Sequence, residues 1–374
     1  MFKLGFVKSN GGTPPAPTFI TIGTQKWNTK NLDVVTYRDS TPINYAANSF
    51  QWNTYGTNAE GCYASVNFDS ANDAQYGLLY NGYAVQNTVN GGLAPEGWHI
   101  PSYEEINTLI TYLGGNPAAV TNSIGGLIKE TGTTRWASPN TGATNSTNFT
   151  DVGAGAISNV GIYNGFKTTA NHALIGNMGI DVPFFQTQHL TDILLTPTMF
   201  GYNGALEAGY SVRTIRNDSL TIGTLYGGGK IIQLEGDPFT VGFSVIVVLD
   251  DLSFVDTYGC SGFDIGALGD GDFIPNTEAM NALNCNLTAP YLRAPNNLQF
   301  YNDWYIAAKN QAQIVLDENA VSGISVLNQY WTSTEIDTNN AKSFIYNVGT
   351  SSWEIIPAQK TNSFPFFIIR QASL

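Results

Sequence analysis

The chain has 374 residues with 16 Lys and Arg, 29 Asp and Glu and a formal net charge of −13, so only 12% of its residues are charged. A hydrophobic content of 43% is sufficient for a packed core and excludes global disorder. The acidic balance excludes a basic nucleic-acid-binding protein, and no apolar run approaches the about 18 residues that cross a bilayer.

The first 17 residues predict a short arm followed by a stiff linker. Phe2, Leu4 and Phe6 alternate with other residues as in a strand, and three prolines follow within Gly11–Pro17. Such an arm suits addition to the sheet of another protein. No secretory signal is recognisable, because the apolar run near the start is shorter than a signal requires.

The remainder contains an internal repeat. Thr21–Thr24 recurs as Thr221–Thr224, and Gly97–Ser102 has a counterpart in Asp303–Ala308. Each unit closes on a β-rich segment that ends in arginine. We therefore predict two related domains in tandem, residues 18–218 and 219–374.

One helix of the first unit is well specified. Ser102 and Glu105 have the spacing of a capping box, Gly114 is a terminator, and the residues between them form one apolar stripe: Ile106, Leu109, Ile110 and Leu113. The second unit repeats the stripe less cleanly, with Ala308 in place of the serine cap. Short β-type runs such as 243–249 and 343–348 make up much of the rest, which predicts an α+β fold with much sheet and long loops.

The motifs of the two units resemble two known families. The first unit resembles the Fibrobacter succinogenes major paralogous domain in Ile22–Trp27, Asn31–Leu32, Gln75–Tyr80, Pro95–Ser102, Lys129–Gly132, Trp136 and Gly209–Arg216. The second resembles the Lcl-type C-terminal domain of bacterial adhesins and phage tail proteins in Ile222–Gly223, Gly227–Lys230, Gly259–Cys260, Asp303–Tyr305 and Tyr330–Glu335. Both families are similar to the C-type lectin-like fold, so the resemblance implies two tandem C-type lectin-like domains. The calcium-dependent sugar signatures of that fold are absent, so calcium-mediated sugar binding is not implied.

The sequence offers little for catalysis. Gly227–Lys230 lacks the glycine and the hydroxyl residue of a phosphate loop, which favours a β-turn. His99 is expected to be a packed structural residue. The three cysteines are interpreted mainly as buried thiols, and pairing of Cys260 with Cys285 stays open. No nucleophile motif is present, and we expect a protein that is not an enzyme.

Cofactors are not expected. One acidic cluster, Asp264, Asp270 and Asp272, provides oxygen ligands on a glycine-rich loop, but its spacing does not fit an EF-hand. Calcium is therefore a weak alternative to a solvated acidic loop.

The tryptophans fall into two groups. Trp27, Trp98 and Trp304 recur at motif positions and are expected in the core. Trp136, Trp331 and Trp353 lie among amides and hydroxyls, where an exposed ring with polar neighbours suits a sugar or protein contact. Trp331 also fits an anchor for the last strands. The candidate ligand-binding residues are Trp136, Asn140, Trp331, Thr332, Ser333, Glu335, Asn339, Asn340 and Trp353.

These features together favour a bacteriophage virion surface protein of the tail, baseplate or vertex, such as a spike or fibre, made in the host cytoplasm. It would attach to other virion proteins through its arm and recognise a host surface glycan or outer-membrane protein without covalent chemistry. A homo-oligomer is expected, for which a trimer is one candidate. The alternatives are a structural or decoration protein that binds only neighbouring subunits, a polysaccharide depolymerase using Asp270 and Asp272, and a secreted bacterial adhesin.

Overall fold

The computed structural model describes residues 18–176, 181–195, 203–240, 242–250, 255–283, 285 and 304–374. We call residues 18–218 the N-terminal part and the described residues from 219 onward the C-terminal part. The predicted attachment residues Phe2, Leu4 and Phe6 lie outside the described residues.

Seven α-helices occur within the described ranges. They are α1 (Ser49–Thr57), α2 (Asp73–Tyr76), α3 (Gly82–Val85), α4 (Tyr103–Tyr112), α5 (Gly125–Ile128), α6 (Phe273–Ala282) and α7 (Lys309–Asp317). In the described part of the chain, three short 3₁₀ helices cover Val66–Phe68, Ser70–Asn72 and Asn217–Ser219. Within the same ranges, no helix combines the length and the apolar character that crossing a membrane requires.

The strands are short and numerous. Those of the N-terminal part are β1 (Phe19–Ile22), β2 (Gln25–Asn28), β3 (Asn44–Tyr45), β4 (Cys62–Ser65), β5 (Leu78–Asn81), β6 (Trp98–His99), β7 (Thr121–Asn122), β8 (Ala156–Ile157), β9 (Tyr163–Asn164), β10 (Thr169–Ala173), β11 (Asp181–Gln188), β12 (Leu194–Leu195), β13 (Asn203–Ala205), β14 (Gly209–Tyr210) and β15 (Ile215–Arg216). Those of the C-terminal part are β16 (Leu225–Tyr226), β17 (Gly229–Glu235), β18 (Ser244–Val248), β19 (Val255–Thr257), β20 (Tyr305–Ile306), β21 (Tyr330–Glu335), β22 (Asn340–Asn347), β23 (Ser352–Gln359), β24 (Ser363–Pro365) and β25 (Ile368–Ser373).

The described strands pair only within their own part. The N-terminal part has sheets in the orders β1-β2-β15-β6, β3-β4-β5-β14-β8-β9 and β10-β11-β12-β7, with β13 beside β11. The C-terminal part has the orders β16-β17-β18-β25-β20, β21-β22-β23 and β19-β24. In both parts the last strand pairs antiparallel with the strand that precedes a helix, β15 with β6 before α4 and β25 with β20 before α7. The fold is therefore β-rich, with several sheets and a few helices.

The helix α4 begins and ends as its sequence predicts. The Ser102 hydroxyl accepts from the Glu105 N–H while the Glu105 carboxylate accepts from the Ser102 N–H, which completes the capping box. Ile106, Leu109 and Ile110 are fully buried and pack in one core cluster with Trp27 and Phe149. The predicted helix and its apolar face are confirmed.

The helix α7 forms although its N-cap residue is Ala308. The N–H of Lys309 donates to the Thr334 hydroxyl at 3.2 Å, and the N–H of Asn310 donates to the Asp270 carbonyl at 2.8 Å. Residues distant in sequence thus satisfy the donors that a capping side chain would otherwise satisfy. The stripe of Ala312, Val315 and Leu316 is buried as expected.

The glycine segment before Lys230 is a hairpin turn between β16 and β17. Gly227 and Gly228 have φ angles of 58° and 88°, which side chains with a Cβ rarely adopt. The Gly228 N–H donates to the buried Glu104 carboxylate at 3.1 Å, so the turn also joins the C-terminal part to α4. The turn interpretation is confirmed.

Other predictions of burial are also confirmed, with one correction. Trp27, Trp98 and Trp304 are core residues, and the buried His99 hydrogen-bonds Asn217 and Glu105 at 2.9 Å each. The prediction of buried free thiols is confirmed for Cys62 and is wrong for Cys260 and Cys285. Cys260 and Cys285 form a disulfide, because the chain brings their Cα atoms to 4.8 Å across 25 residues.

Candidate functional site

Four tyrosines form a ladder across the largest sheet of the N-terminal part. Strand register places Tyr45 of β3 opposite Tyr63 of β4, Tyr63 opposite Tyr80 of β5, and Tyr80 opposite Tyr210 of β14. Directly opposed residues project from the same face of a sheet, so the four rings share one face. Ring centroids lie 5.2 Å apart for Tyr45 and Tyr63 and 6.4 Å apart for Tyr63 and Tyr80.

The tyrosine ladder runs from the core to the surface. Tyr210 and Tyr80 are buried, Tyr63 is half-buried, and Tyr45 is 42% exposed. The Tyr80 hydroxyl donates to the Val34 carbonyl at 2.7 Å, which fixes the buried Tyr80 ring. The outer rings are therefore supported by packed neighbours and offer a preformed aromatic surface.

The outer end of the ladder lines an open cavity of about 490 Å³, which we call the tyrosine groove. Its lining residues are Asp33, Val35, Tyr45, Tyr63, Ser65, Ser70, Asp73, Ala74 and Leu78. The volume is that of a typical small-ligand site. The lining combines aromatic rings, aliphatic side chains, hydroxyls and two carboxylates.

Among the described residues, only one oxygen of the Asp73 carboxylate has a hydrogen-bond partner. The Ser65 hydroxyl donates to one oxygen of Asp73 at 3.3 Å, whereas the other oxygen is buried and has no hydrogen-bond partner among the described residues. Burial raises the pKa of Asp73, the hydrogen bond from Ser65 opposes this, and the negative charge of Asp69 adds to the rise. Asp73 thus keeps one buried oxygen without a hydrogen bond from the described residues.

A smaller cavity of about 90 Å³ adjoins the groove, and we call it the polar recess. It shares Asp33, Asp73 and Ala74 with the groove. Tyr76 also lines it, is only 2% exposed, and has a hydroxyl with no partner in the described part of the chain. Lys30 also lines the recess, and its ammonium lies 2.6 Å from the Asp33 carboxylate.

Gly77 lines the polar recess and caps the end of α2. Its φ is 73°, and a Cβ there would lie 2.8 Å from both the Asn31 Cβ and the Leu32 carbonyl oxygen. Glycine is therefore required at this position. The Asn31 amide donates to the Tyr76 carbonyl at 2.9 Å, which ties the end of α2 to Asn31.

Arg213 organises the inner wall of the recess. Its buried guanidinium donates to the Asn31 side-chain oxygen at 2.8 and 3.0 Å, to the Asn28 carbonyl at 3.2 Å and to the Phe149 carbonyl at 2.7 Å. Burial lowers the pKa of Arg213 to about 10, which the charge of Asp151 opposes and that of Arg135 reinforces. Arg213 is thus occupied by protein acceptors.

The two cavities combine aromatic rings, hydroxyls and carboxylates. No histidine or cysteine is among the described residues that line them. Aromatic faces with hydroxyls and carboxylates suit a ligand that has an apolar ring face and several O–H groups.

Most residues predicted to bind a ligand are not at the surface. In the N-terminal part, the Trp136 indole is fully buried and donates to the Asp151 carbonyl at 2.8 Å. The buried Asn140 amide donates to the carbonyls of Glu130 and Gly132. Their polar neighbours are thus internal hydrogen-bond partners, and the interpretation as exposed contact residues is wrong.

The same correction applies to the segment Trp331–Glu335. Trp331, Thr332, Ser333 and Glu335 are all buried in β21. The Trp331 ring packs on Tyr258 and Phe364 with centroids 5.5 and 4.9 Å away. Glu335 pairs with the buried Lys360 and accepts the N–H groups of Ile265 and Gly266. Trp331 thus packs on the last strands, as its alternative interpretation stated, while Glu335 holds the loop at Ile265 and Gly266.

The remaining candidates are accessible but scattered. Asn339 is exposed, and Asn340 is half-buried with its amide on Asp337. Trp353 is half-buried and packs edge-on against Tyr330 and Tyr346. None of the three lines either cavity described above.

The acidic cluster does not form a metal centre in the part of the chain that the structure describes, where no group of three His, Cys, Asp or Glu is placed to hold a metal. Asp270 is engaged by the ammonium groups of Lys309 and Lys342. Although burial raises the pKa of Asp270, the two lysines lower it below its usual value. Asp264 and Asp272 are exposed.

The tyrosine groove was not found from the sequence. Tyr80 and Tyr210 lie within motif segments, but β3 and β4 are two and four residues long and show no pattern that marks Tyr45 or Tyr63. The ladder depends on the register of four strands, which spans residues 45 to 210.

Residues 20–179 match the family model of the Fibrobacter succinogenes major domain. All lining residues of the tyrosine groove, and all those of the polar recess except Arg213, lie within this range. No curated protein matches the chain. The match supports the first of the two predicted domains, whereas the Lcl-type resemblance of the C-terminal part stays a prediction.

Proposed function

We propose that this protein binds a glycan without covalent chemistry and that the tyrosine groove is its binding site. The observation that carries the proposal is the tyrosine ladder, which ends at the surface in a groove that Asp73 also lines. Sugars present C–H faces that pack on aromatic rings, while their hydroxyls donate to carboxylates. The groove offers both kinds of contact within one cavity.

The proposed setting is the surface of a bacteriophage particle, in its tail, baseplate or vertex, where the protein recognises a host cell. The resemblance of both units to lectin-like domains, and of the second unit to a domain of bacterial adhesins and phage tail proteins, supports this setting. The Cys260–Cys285 disulfide suits a protein that functions outside a reducing cytoplasm. A single shallow groove gives weak binding, and several copies on one particle would raise the avidity.

The test measures binding of the purified chain to susceptible cells and to their isolated surface polysaccharide. Tyr45→Ala and Tyr63→Ala should each weaken binding about fivefold, because a stacked aromatic ring contributes about 1 kcal/mol. Tyr112→Ala is the matched control, since Tyr112 is 62% exposed on α4 and does not line the groove.

Absence of binding by the wild-type chain to both cells and polysaccharide would refute the proposal. Cell binding that is unchanged in both tyrosine variants would assign recognition to another surface. Binding only to other particle proteins would favour the structural role.

A further inference from the structure

The lining of the tyrosine groove carries negative charge. Two of its lining residues are carboxylates, Asp33 and Asp73, and none of the described residues that line it is a lysine, an arginine or a histidine. Asp69 contributes a third negative charge, because it acts on Asp73 and precedes the lining residue Ser70. A groove lined by carboxylates without cations attracts a positively charged ligand and repels a negatively charged one.

One lysine lies beside the groove, but one of the two carboxylates is its partner. Lys30 lines the adjoining polar recess, and its ammonium pairs with Asp33 at 2.6 Å. Among the described residues Asp73 has no such cationic partner, and its hydrogen bond comes from the neutral hydroxyl of Ser65. The charge that a ligand cation would meet in the groove is therefore that of Asp73.

This charge acts at the outer tyrosines, which can themselves attract a cation. Burial makes the largest contribution to the raised pKa of Tyr63, and the Tyr45 hydroxyl and the charge of Asp73 raise it further. The face of an aromatic ring attracts a cation within about 6 Å of its centroid. Tyr45 is 42% exposed, and the cation–π contacts within the described part of the chain all involve other rings. A cation in the groove thus gains from both the rings and the carboxylate.

We infer that the glycan bound in the tyrosine groove carries a free ammonium group, as a 2-amino sugar does, with the sugar ring packed on Tyr45 and Tyr63 and the ammonium beside Asp73. This inference rests on the proposed glycan-binding function and adds the charge of the ligand to it. The volume of about 490 Å³ is in the range of small-ligand sites and accommodates a sugar ring together with its amine. Asp73 is thereby assigned as a specificity-determining residue.

The experiment compares tetrasaccharides of glucosamine, N-acetylglucosamine and glucose that share one β-linkage and differ only in the group on the second ring carbon. Calorimetry at about pH 6.5 works below the ordinary pKa of an amine and above that of a carboxyl group. The wild-type chain should bind the glucosamine tetrasaccharide about tenfold more tightly than either neutral one. This preference should decrease as salt is raised from about 0.02 to about 0.5 M, because salt screens the attraction.

Asp73→Asn should reduce the preference to about threefold, because the ring faces remain while the charge is lost. The affinity of this variant for the glucose tetrasaccharide should change by less than about twofold, since an amide still hydrogen-bonds hydroxyls. Glu60→Gln is the matched control, because it removes the same charge from an exposed residue that lines neither cavity, and it should keep the full preference. Thermal unfolding of each variant checks that the fold is retained.

Equal or weaker binding of the glucosamine tetrasaccharide, or a preference that Asp73→Asn leaves unchanged, would overturn the inference while leaving glycan binding intact. If none of the three tetrasaccharides binds, the free amines of the cell polysaccharide that does bind are N-acetylated. Binding that survives this loss of charge would also overturn the inference alone. A wild-type chain that binds neither the tetrasaccharides nor any cell polysaccharide would overturn both proposals.

Discussion

The two parts of the molecule each bury a carboxylate to hold a loop, but with different partners. In the N-terminal part, Asp151 accepts from the His172 ring, the Thr187 hydroxyl and the Val152 N–H. In the C-terminal part, Glu335 pairs with Lys360 and accepts backbone N–H groups of the loop that begins after the disulfide cysteine. The carboxylate of the C-terminal part is thus held by a lysine, and that of the N-terminal part by a histidine and a threonine.

The difference shows how long loops are stabilised without many surface charges. A buried ion satisfies several backbone groups at once, which a loop with few regular hydrogen bonds requires. The N-terminal part adds a second such ion, since the buried Lys129 ammonium donates to the carbonyls of Thr141, Gln188 and Thr191. The C-terminal part instead adds a covalent bond between Cys260 and Cys285.

Removal of Lys360, the partner of Glu335, should lower the free energy of unfolding the most. Lys360→Met leaves Glu335 buried without its cation, and we expect a loss of about 3–5 kcal/mol in the free energy of unfolding. Denaturant unfolding measures the loss, and hydrogen exchange should localise it to residues 263–267. Lys342→Met is the control, because its pair with Asp270 is partly exposed and should cost less than about 1 kcal/mol. Equal losses in the two variants would contradict this comparison.

Loss of the Cys260–Cys285 disulfide should have the next largest effect on stability. A closed loop of 25 residues corresponds to about 3.5 kcal/mol from restriction of the unfolded chain. The double variant Cys260→Ala with Cys285→Ala should therefore unfold at lower denaturant, and reduction of the wild-type chain should have the same effect. Binding at the tyrosine groove should be unchanged, since the groove lies wholly in the N-terminal part. Stability that does not respond to reduction would show that the bond does not support the fold.

The buried Asp151 carboxylate should make the stability of the N-terminal part sensitive to acid. Burial alone raises the pKa of Asp151, but the charge and hydrogen bond of His172, the hydrogen bond from Thr187 and the charge of Arg213 lower it below the ordinary value. Its stabilisation is thus fully present above the unfolded pKa of about 3.9 and is lost as the pH falls through the lower folded pKa. Unfolding between pH 3 and 7 should show a steeper loss below pH about 4 in the wild-type chain than in Asp151→Asn, by at most about 1.4 kcal/mol per pH unit. Identical slopes would assign the acid response to other carboxylates.

The helix caps should give the smallest effects. Ser102→Ala removes the local cap of α4 and should cost about 1 kcal/mol. Ala308→Ser should change stability by less than about 0.5 kcal/mol, because Thr334 and Asp270 already satisfy donors at the start of α7. Denaturant midpoints compare the two variants, and a gain near 1 kcal/mol for the serine would show that the distant partners are poor substitutes.

Much of the local structure was predictable, whereas most of the candidate site was not. The capping box of α4, its apolar face, the turn at Gly227–Gly228 and the core tryptophans follow from patterns within a few residues. The helix α6 was missed, since its Asp272 N-cap makes no capping hydrogen bond and Pro275 lies in its first turn. The segment Trp331–Glu335 was misread because amide and hydroxyl neighbours look alike in sequence whether they face solvent or internal partners.

By itself, the sequence determined the β-rich character, the capped helix, the repeated strand-before-helix segments and the shortage of charge. Each of these depends on composition or on contacts between near neighbours along the chain. Only the tertiary structure decided that four tyrosines share one face, that Cys260 meets Cys285 and that Asp73 lines the same groove as Tyr45 and Tyr63. Those features depend on strand register and on burial by residues far apart in the chain, and neither follows from local periodicity.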